Sequence, residues 1–174
     1  MTTPEELKKY VRDVPDYPQK GIIFRDITPL LGDKRIFKEV VELMSKAWLD
    51  NPPDLVAGIE ARGFIPGAAI SVRLGAGFVP IRKTGKLPWM TVAESYDLEY
   101  GTDQLEVHSD AVQPGQKVLI VDDVLATGGT ASAAVRLMRK LGADVVGVQV
   151  LIELGYLDGR QKLPDVKLVS EILY

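Results

Sequence analysis

Cysteine is absent and histidine occurs once, at position 108, in a chain of 174 residues. The first absence excludes a disulfide framework, a thiolate zinc site and a thiol nucleophile. The second leaves too few imidazoles for a histidine-based metal site, and His108 is expected at the surface. No stretch approaches the roughly 20 apolar residues that cross a bilayer, and the first residues show no n-region or h-region of a signal peptide. A surplus of positive charge is also missing. The net charge is −3 and the isoelectric point about 5.3, which argues against a nucleic-acid backbone as partner. No GK[ST] triplet occurs, which excludes a nucleoside-triphosphate P-loop. Gly75-Ala76-Gly77 precedes a strand and has Pro80 where a third glycine would stand, so it is no dinucleotide fingerprint. These exclusions leave a cytoplasmic protein acting on small anions, with no membrane and no nucleic acid.

What is present suits a globular enzyme. Hydrophobic residues make up 46% and charged residues 26%, enough for one domain burying roughly 70% of its unfolded surface. The most informative stretch is VLIVDDVLATGGT, Val118 to Thr130. Val118 to Val121 read as a strand buried on both faces. Asp122 and Asp123 follow, then a turn of small residues, Ala126, Thr127, Gly128, Gly129 and Thr130. Behind it Ala134, Leu137, Met138 and Leu141 recur at helical spacing up to Gly142. Strand, small-residue loop and helix start make a phosphate site, because first-turn amides lack helical partners and the helix dipole favours an anion. The aspartates are acceptors suited to sugar hydroxyls or a hydrated cation. A ligand with both a phosphate and a free diol fits this pair of features.

Thr3-Pro4-Glu5-Glu6 is a capping box, predicting a helix to about Asp13. Val14 to Gly32 is broken by prolines and glycines, and GIIFRDITP within it, Gly21 to Pro29, is expected to form a flap. Asp33 caps a predicted helix from Lys34 to Asp50, with Phe37, Val40, Val41, Met44 and Ala47 as its buried stripe. Leu55 to Ile59 is a buried strand leading through Glu60-Ala61-Arg62-Gly63 into a helix from Phe64 to Leu74. An arginine in that second strand-to-helix loop can grip a diphosphate in bidentate fashion. Phe78 to Ile81 is a strand with a basic exit, Arg82-Lys83-Thr84-Gly85-Lys86, and residues 89–102 form a β-arm. Val145 to Ile152 and Val166 to Leu173 complete the strands, with a turn of helix near Leu157 to Lys162. The alternation predicts an α/β fold, a mainly parallel central sheet flanked by helices.

These segments carry a resemblance. VLIVDDVLATGGT resembles the signature for 5-phosphoribosyl 1-pyrophosphate (PRPP) of the type I phosphoribosyltransferases. GIIFRDITP, the Glu-Ala-Arg-Gly loop, IRKTGKLP and SYDLEYG are similar to the hood, pyrophosphate loop, basic strand exit and lid of the adenine phosphoribosyltransferases. Trp89 stands out in the lid, where a smaller or more polar residue is expected. The resemblance implies one domain over 1–174, with a hood over about 1–32 and a core over about 33–174 that carries a flexible lid over about 84–103. It implies transfer of the phosphoribosyl group from PRPP to adenine, giving AMP and pyrophosphate, in purine salvage. It assigns Asp122 and Asp123 to the ribose and Ala126, Thr127, Gly128, Gly129 and Thr130 to the 5′-phosphate. Arg62, Arg82, Lys83 and Lys86 fall to the pyrophosphate, and Phe24 to stacking on adenine, with Ile23 and Arg25 contributing backbone groups. Glu99 becomes the candidate acid/base; spacing alone leaves it one glutamate among many. A cis peptide at Glu60–Ala61, a homodimer with Arg82 reaching across its interface, and Mg²⁺ held by substrate and water rather than by a protein cage complete the expectations.

Overall fold

The computed structural model describes residues 3–97 and 102–174. Helix α1 (Pro4–Lys8) is capped as expected: the Thr3 hydroxyl accepts from the Glu6 N–H, and the Glu6 carboxylate accepts from the Thr3 N–H. It stops five residues short of Asp13, because Arg12–Pro15 forms strand β1 and pairs antiparallel with β2 (Ile23–Asp26). Pro15 holds the residue before it extended, and the register sets Arg12 opposite Asp26, where the two charges meet at 3.1 Å. The broken stretch is thus a two-stranded hood, closed by a short helix α2 (Thr28–Gly32). Ile27 and Leu30, both fully buried, pin it to the core.

Helix α3 (Lys34–Ser45) starts where Asp33 accepts from the N–H groups of Arg35 and Ile36. It tightens into a 3-10 turn at Lys46–Trp48 rather than continuing to Asp50. Its buried stripe is Ile36, Val40 and Met44, while Ala47 is exposed and Phe37 only half-buried. The period was legible; the angle of the stripe depends on what the helix packs against. Trp48 ends the turn inside, donating its indole N–H to the buried Gln149 side chain at 2.8 Å.

The rest alternates: β3 (Leu55–Ile59), α4 (Phe64–Leu74), β4 (Gly77–Lys83), a hairpin of β5 (Thr91–Asp97) and β6 (Thr102–His108), β7 (Lys117–Leu125), α5 (Gly129–Lys140), β8 (Asp144–Glu153) and β9 (Leu168–Leu173). The seven-stranded sheet runs β5-β6-β4-β3-β7-β8-β9. β4, β3, β7, β8 and β9 are parallel, and the hairpin adds two antiparallel strands at the β4 edge. This is the expected α/β class. Strand residues alternate between faces. Ala57, Val118 and Ile120 pack with the Ala131–Met138 side of α5, while Val56, Leu119 and Val121 pack with α3 and α4. Each Val, Leu or Ile among them, fully removed from water, contributes roughly 1.5–3 kcal/mol. Among the described residues, no helix is long and apolar enough to cross a membrane.

The chain moves from β3 outward to β4, then returns to β7 on the other side of β3 and continues to β8 and β9. The β3–β7 junction is therefore where the direction of winding reverses. Loops leaving adjacent parallel strands on either side of such a junction splay apart and leave a crevice.

Candidate active site

The crevice is a cavity of about 900 Å³ at the carboxyl ends of the parallel strands. β3 delivers Glu60 and Arg62, β7 delivers Asp122 and Asp123, β4 delivers Lys83, and the hood overhangs with Ile22 to Arg25. Ala126, Thr127 and Thr130 line the same space. Gly128 and Gly129 line an adjoining recess of about 80 Å³ that shares Asp122, Ala126, Thr127 and Thr130. The aspartates stand near the carboxyl end of β7, as expected, although the strand runs on past them to Leu125. Gly128 is the N-cap of α5, so the first-turn amides that follow have no partner within the helix.

The two sides of the junction meet through charge. Arg62 Nε lies 2.8 Å from Asp123 Oδ2. The alignment is that of an ion pair rather than a hydrogen bond, and among the described residues Asp123 Oδ2 and Arg62 Nη1 are buried without hydrogen-bond partners. The Arg62 guanidinium also covers the Phe24 ring, 4.4 Å from its centre, and Tyr17 meets that ring edge-on at 5.1 Å. Burial pushes both aspartates above the usual carboxylate range. For Asp122 the charge of Asp123 adds to the effect; for Asp123 the Arg62 cation opposes it. Burial thus disfavours charge on both, and Asp123 Oδ2 lacks a hydrogen-bond donor, two deficits a hydroxylated, cation-bearing ligand relieves.

The basic residues divide into two groups. Lys83 faces the cavity and pairs with Asp103 on β6 at 2.7 Å. Asp103 is held below its ordinary range chiefly by Lys83, and its carboxylate also accepts from the Tyr96 hydroxyl at 3.1 Å. Arg82, one residue earlier, lies on the opposite face of β4, and neither it nor Lys86 lines the cavity. Instead they converge on Glu60, at 3.4 Å from Arg82 Nη2 and 2.6 Å from Lys86 Nζ. Burial alone would raise Glu60, but hydrogen bonds from Lys86, the Lys83 N–H and Arg82 bring it down to about 2. The Glu60–Ala61 peptide is cis, as anticipated.

In the hood, Phe24 and the exposed Ile23 border the cavity. The Arg25 side chain turns away, pairing with Asp13 and stacking on Tyr174 at 3.9 Å, so only its backbone is free to serve the cavity. Glu99 lies outside the described residues. Three contributors had not been anticipated: Asp103, the Glu60 carboxylate as an anchor, and a wall of Leu154, Tyr156 and Leu157. The wall follows β8, a fourth parallel strand ending at the same edge, and that position was the available signal. His108, expected at the surface, is half-buried with Nε2 enclosed, its ring 6.4 Å from that of Trp89.

Among the described residues, no group of three or more His, Cys, Asp or Glu side chains is placed to hold a metal ion. The buried, unpartnered Asp123 Oδ2 fits a sugar hydroxyl or a water of a hydrated Mg²⁺, an ion that keeps several waters and takes substrate oxygens.

Comparison with known proteins gives the same picture. The family model described as "Phosphoribosyl transferase domain" matches residues 28–173. An adenine phosphoribosyltransferase of Thermobifida fusca is 60% identical over 162 residues, covering 93% of this chain and 92% of that protein. One from Thermotoga maritima is 57% identical over 169 residues, covering 97% and 98%. Among solved structures, that of the Thermoanaerobacter pseudethanolicus enzyme superposes with a TM-score of 0.96 at 51% identity, covering 99% of this chain and 100% of that one. The Saccharomyces cerevisiae enzyme, solved with an imino-altritol bisphosphate and adenine, gives a TM-score of 0.91 at 35% identity, covering 97% and 98%.

Proposed function

The chain belongs to the phosphoribosyl transferase family, and on that footing we propose that it transfers the 5-phosphoribosyl group of PRPP to adenine, forming AMP and pyrophosphate in purine salvage. One observation carries the reading. A single cavity brings together an aromatic ring for a base, paired carboxylates for a diol, a helix start for a phosphate and cations for a diphosphate.

In the reaction the C1′–oxygen bond to pyrophosphate breaks, a purine ring nitrogen bonds to C1′, and the proton on that nitrogen leaves. Positive charge builds on the sugar as the bond to the leaving group stretches, as in glycoside cleavage. Asp122 and Asp123 hold the ribose hydroxyls, and in their ionised form they favour that build-up. The amides and hydroxyls of Ala126 to Thr130 hold the 5′-phosphate. Arg62 and Lys83 face the diphosphate, and Arg82 and Lys86 support that side through Glu60. Phe24 stacks on adenine, with Ile23 and Arg25 reading its edge through backbone groups, and Glu99 takes the proton. When bound with PRPP, Mg²⁺ neutralises charge on the departing pyrophosphate. A lid over about 84–103 excludes water that would otherwise hydrolyse PRPP.

For adenine to stack on the face of Phe24 that Arg62 now covers, the guanidinium must leave it. The diphosphate offers it a stronger partner than a ring does.

We further propose one domain over 1–174 with its hood at 1–32 and core at 33–174, acting in the cytoplasm as a homodimer; Arg82, expected to reach across the interface, is engaged within its own chain by Glu60 and the Lys86 carbonyl. Support for the homodimer comes from α4, where Ile65 and Val72, two turns apart, are 43% and 83% exposed. The test is a spectrophotometric panel of adenine, guanine, hypoxanthine, xanthine and orotate with PRPP and Mg²⁺. Nucleotide from adenine alone is expected; nucleotide from another base in its place overturns the assignment.

A further inference from the structure

The phosphate loop is made of small residues and has little side-chain packing of its own to fix it. A segment with no part in the steps above lies against its back. Two 3-10 turns, Gly155–Leu157 and Gly159–Lys162, follow β8, and the chain reverses between them through Asp158. There Gly159 meets the loop main chain to main chain. A Cβ on Gly159 would stand 2.1 Å from the Ala126 carbonyl oxygen and 2.9 Å from the Gly128 nitrogen. A Cβ on Gly128 would stand 2.2 Å from the Gly159 carbonyl oxygen. All these neighbours are backbone, with no rotamer by which to withdraw. The approach therefore requires glycine on both sides.

Gly159 is buried and lines neither the cavity nor the recess. The next residue anchors it. Arg160 sets Nε and Nη2 on the two carboxylate oxygens of Glu153 at 2.9 and 2.6 Å, and Nη1 on the Leu168 carbonyl at 3.1 Å. Glu153 also accepts from the Ser170 hydroxyl on β9. The anchor thus ties the segment to the end of β8 and to the first half of β9.

We propose that Gly159, held by the Arg160–Glu153 pair, is a positioning residue that sets the Ala126–Gly128 backbone and with it the 5′-phosphate site. The proposal rests on reading Ala126 to Thr130 as the phosphate loop. Relieving the contact in Gly159→Ala requires moving main chain by about 1 Å, a displacement of the order that costs about 100-fold. Arg160→Ala releases the anchor without adding an atom.

The experiment measures steady-state constants for PRPP and adenine, and titrates ribose 5-phosphate calorimetrically into the whole protein. In Gly159→Ala, kcat/KM for PRPP is expected to fall about 100-fold, mostly through KM, with a matching loss of ribose 5-phosphate affinity. The adenine KM at saturating PRPP should stay within about twofold. Arg160→Ala should raise the PRPP KM about tenfold, with Arg160→Lys between it and wild type. A merely structural role would lower the melting temperature and the active fraction but leave the PRPP KM alone, and that result overturns the proposal. If Gly159→Ala does not fold, Arg160→Ala decides on the same criterion. Wild-type protein that binds no ribose 5-phosphate and makes no AMP would instead overturn the reading of the loop itself.

Discussion

Replacing Arg62 with alanine tests two effects of one side chain, because pH separates them. Arg62 is the cation that opposes the upward push of burial on Asp123, from 2.8 Å away. Losing an opposite charge at that distance raises an acid further. A protonated carboxyl is a poorer acceptor for a ribose hydroxyl, so activity that needs the ionised form is lost at a higher pH than in wild type. The limb belongs to the Asp122–Asp123 pair rather than to either residue alone. Arg62 is also assigned to the diphosphate, and charge-assisted contacts of that kind are worth about 1.5–3 kcal/mol, or roughly 10–150-fold in kcat/KM. The assay is kcat/KM for PRPP against pH for both proteins, over roughly pH 5 to 9. The phosphates of PRPP titrate near pH 6, identically in both, and cancel in the ratio. The plateau should drop roughly 10–150-fold, and the acidic limb should move to higher pH. A ratio flat across the whole range would refute the argument that Arg62 governs the ionisation of the aspartates, whatever happens to the plateau.

Phe24→Ala should raise the adenine KM roughly 5- to 150-fold, the loss of base stacking worth about 1–3 kcal/mol; an unchanged KM means the base sits elsewhere. Glu99→Ala should lower kcat by about 10²–10⁴ with little change in the PRPP KM. Wild-type turnover in a rapid-quench single-turnover measurement removes its acid/base role. Glu60 has a folded pKa of about 2 against an ordinary 4.5. Its partners therefore stabilise the fold fully above the ordinary value, and that contribution fades as pH falls toward 2. Urea unfolding of wild type and Glu60→Gln should accordingly give a stability gap that is present at neutral pH and closes on acidification. A gap independent of pH would contradict the network.

The two strand-to-helix loops were legible before any coordinates because each is a local pattern: a β-branched run, small or charged residues, then helical spacing. The same holds for the Thr3 capping box and for the end of α4 at Gly75. Predictions failed where a distant neighbour decides. Helical spacing after Pro4 continued past Lys8, yet pairing between Arg12–Pro15 and Ile23–Asp26 captured the following residues. On α3 Val40 and Met44 are buried as expected, but the stripe is turned away from Phe37 and Ala47, because Ile36 rather than Phe37 meets the core. Arg82, Lys83 and Lys86 look alike in sequence, but only Lys83 faces the cavity.

By itself the sequence determined the class of fold, the acidic pair at the end of β7 and the small-residue helix start behind it, since each needs only residues within about one turn or one strand of another. Tertiary structure alone decided that β3 lies beside β7, which sets Arg62 against Asp123 across 61 positions of chain. It also decided that Gly159 closes on Gly128. Strand order comes from how whole faces are buried together, and periodicity within any one segment carries no record of that choice.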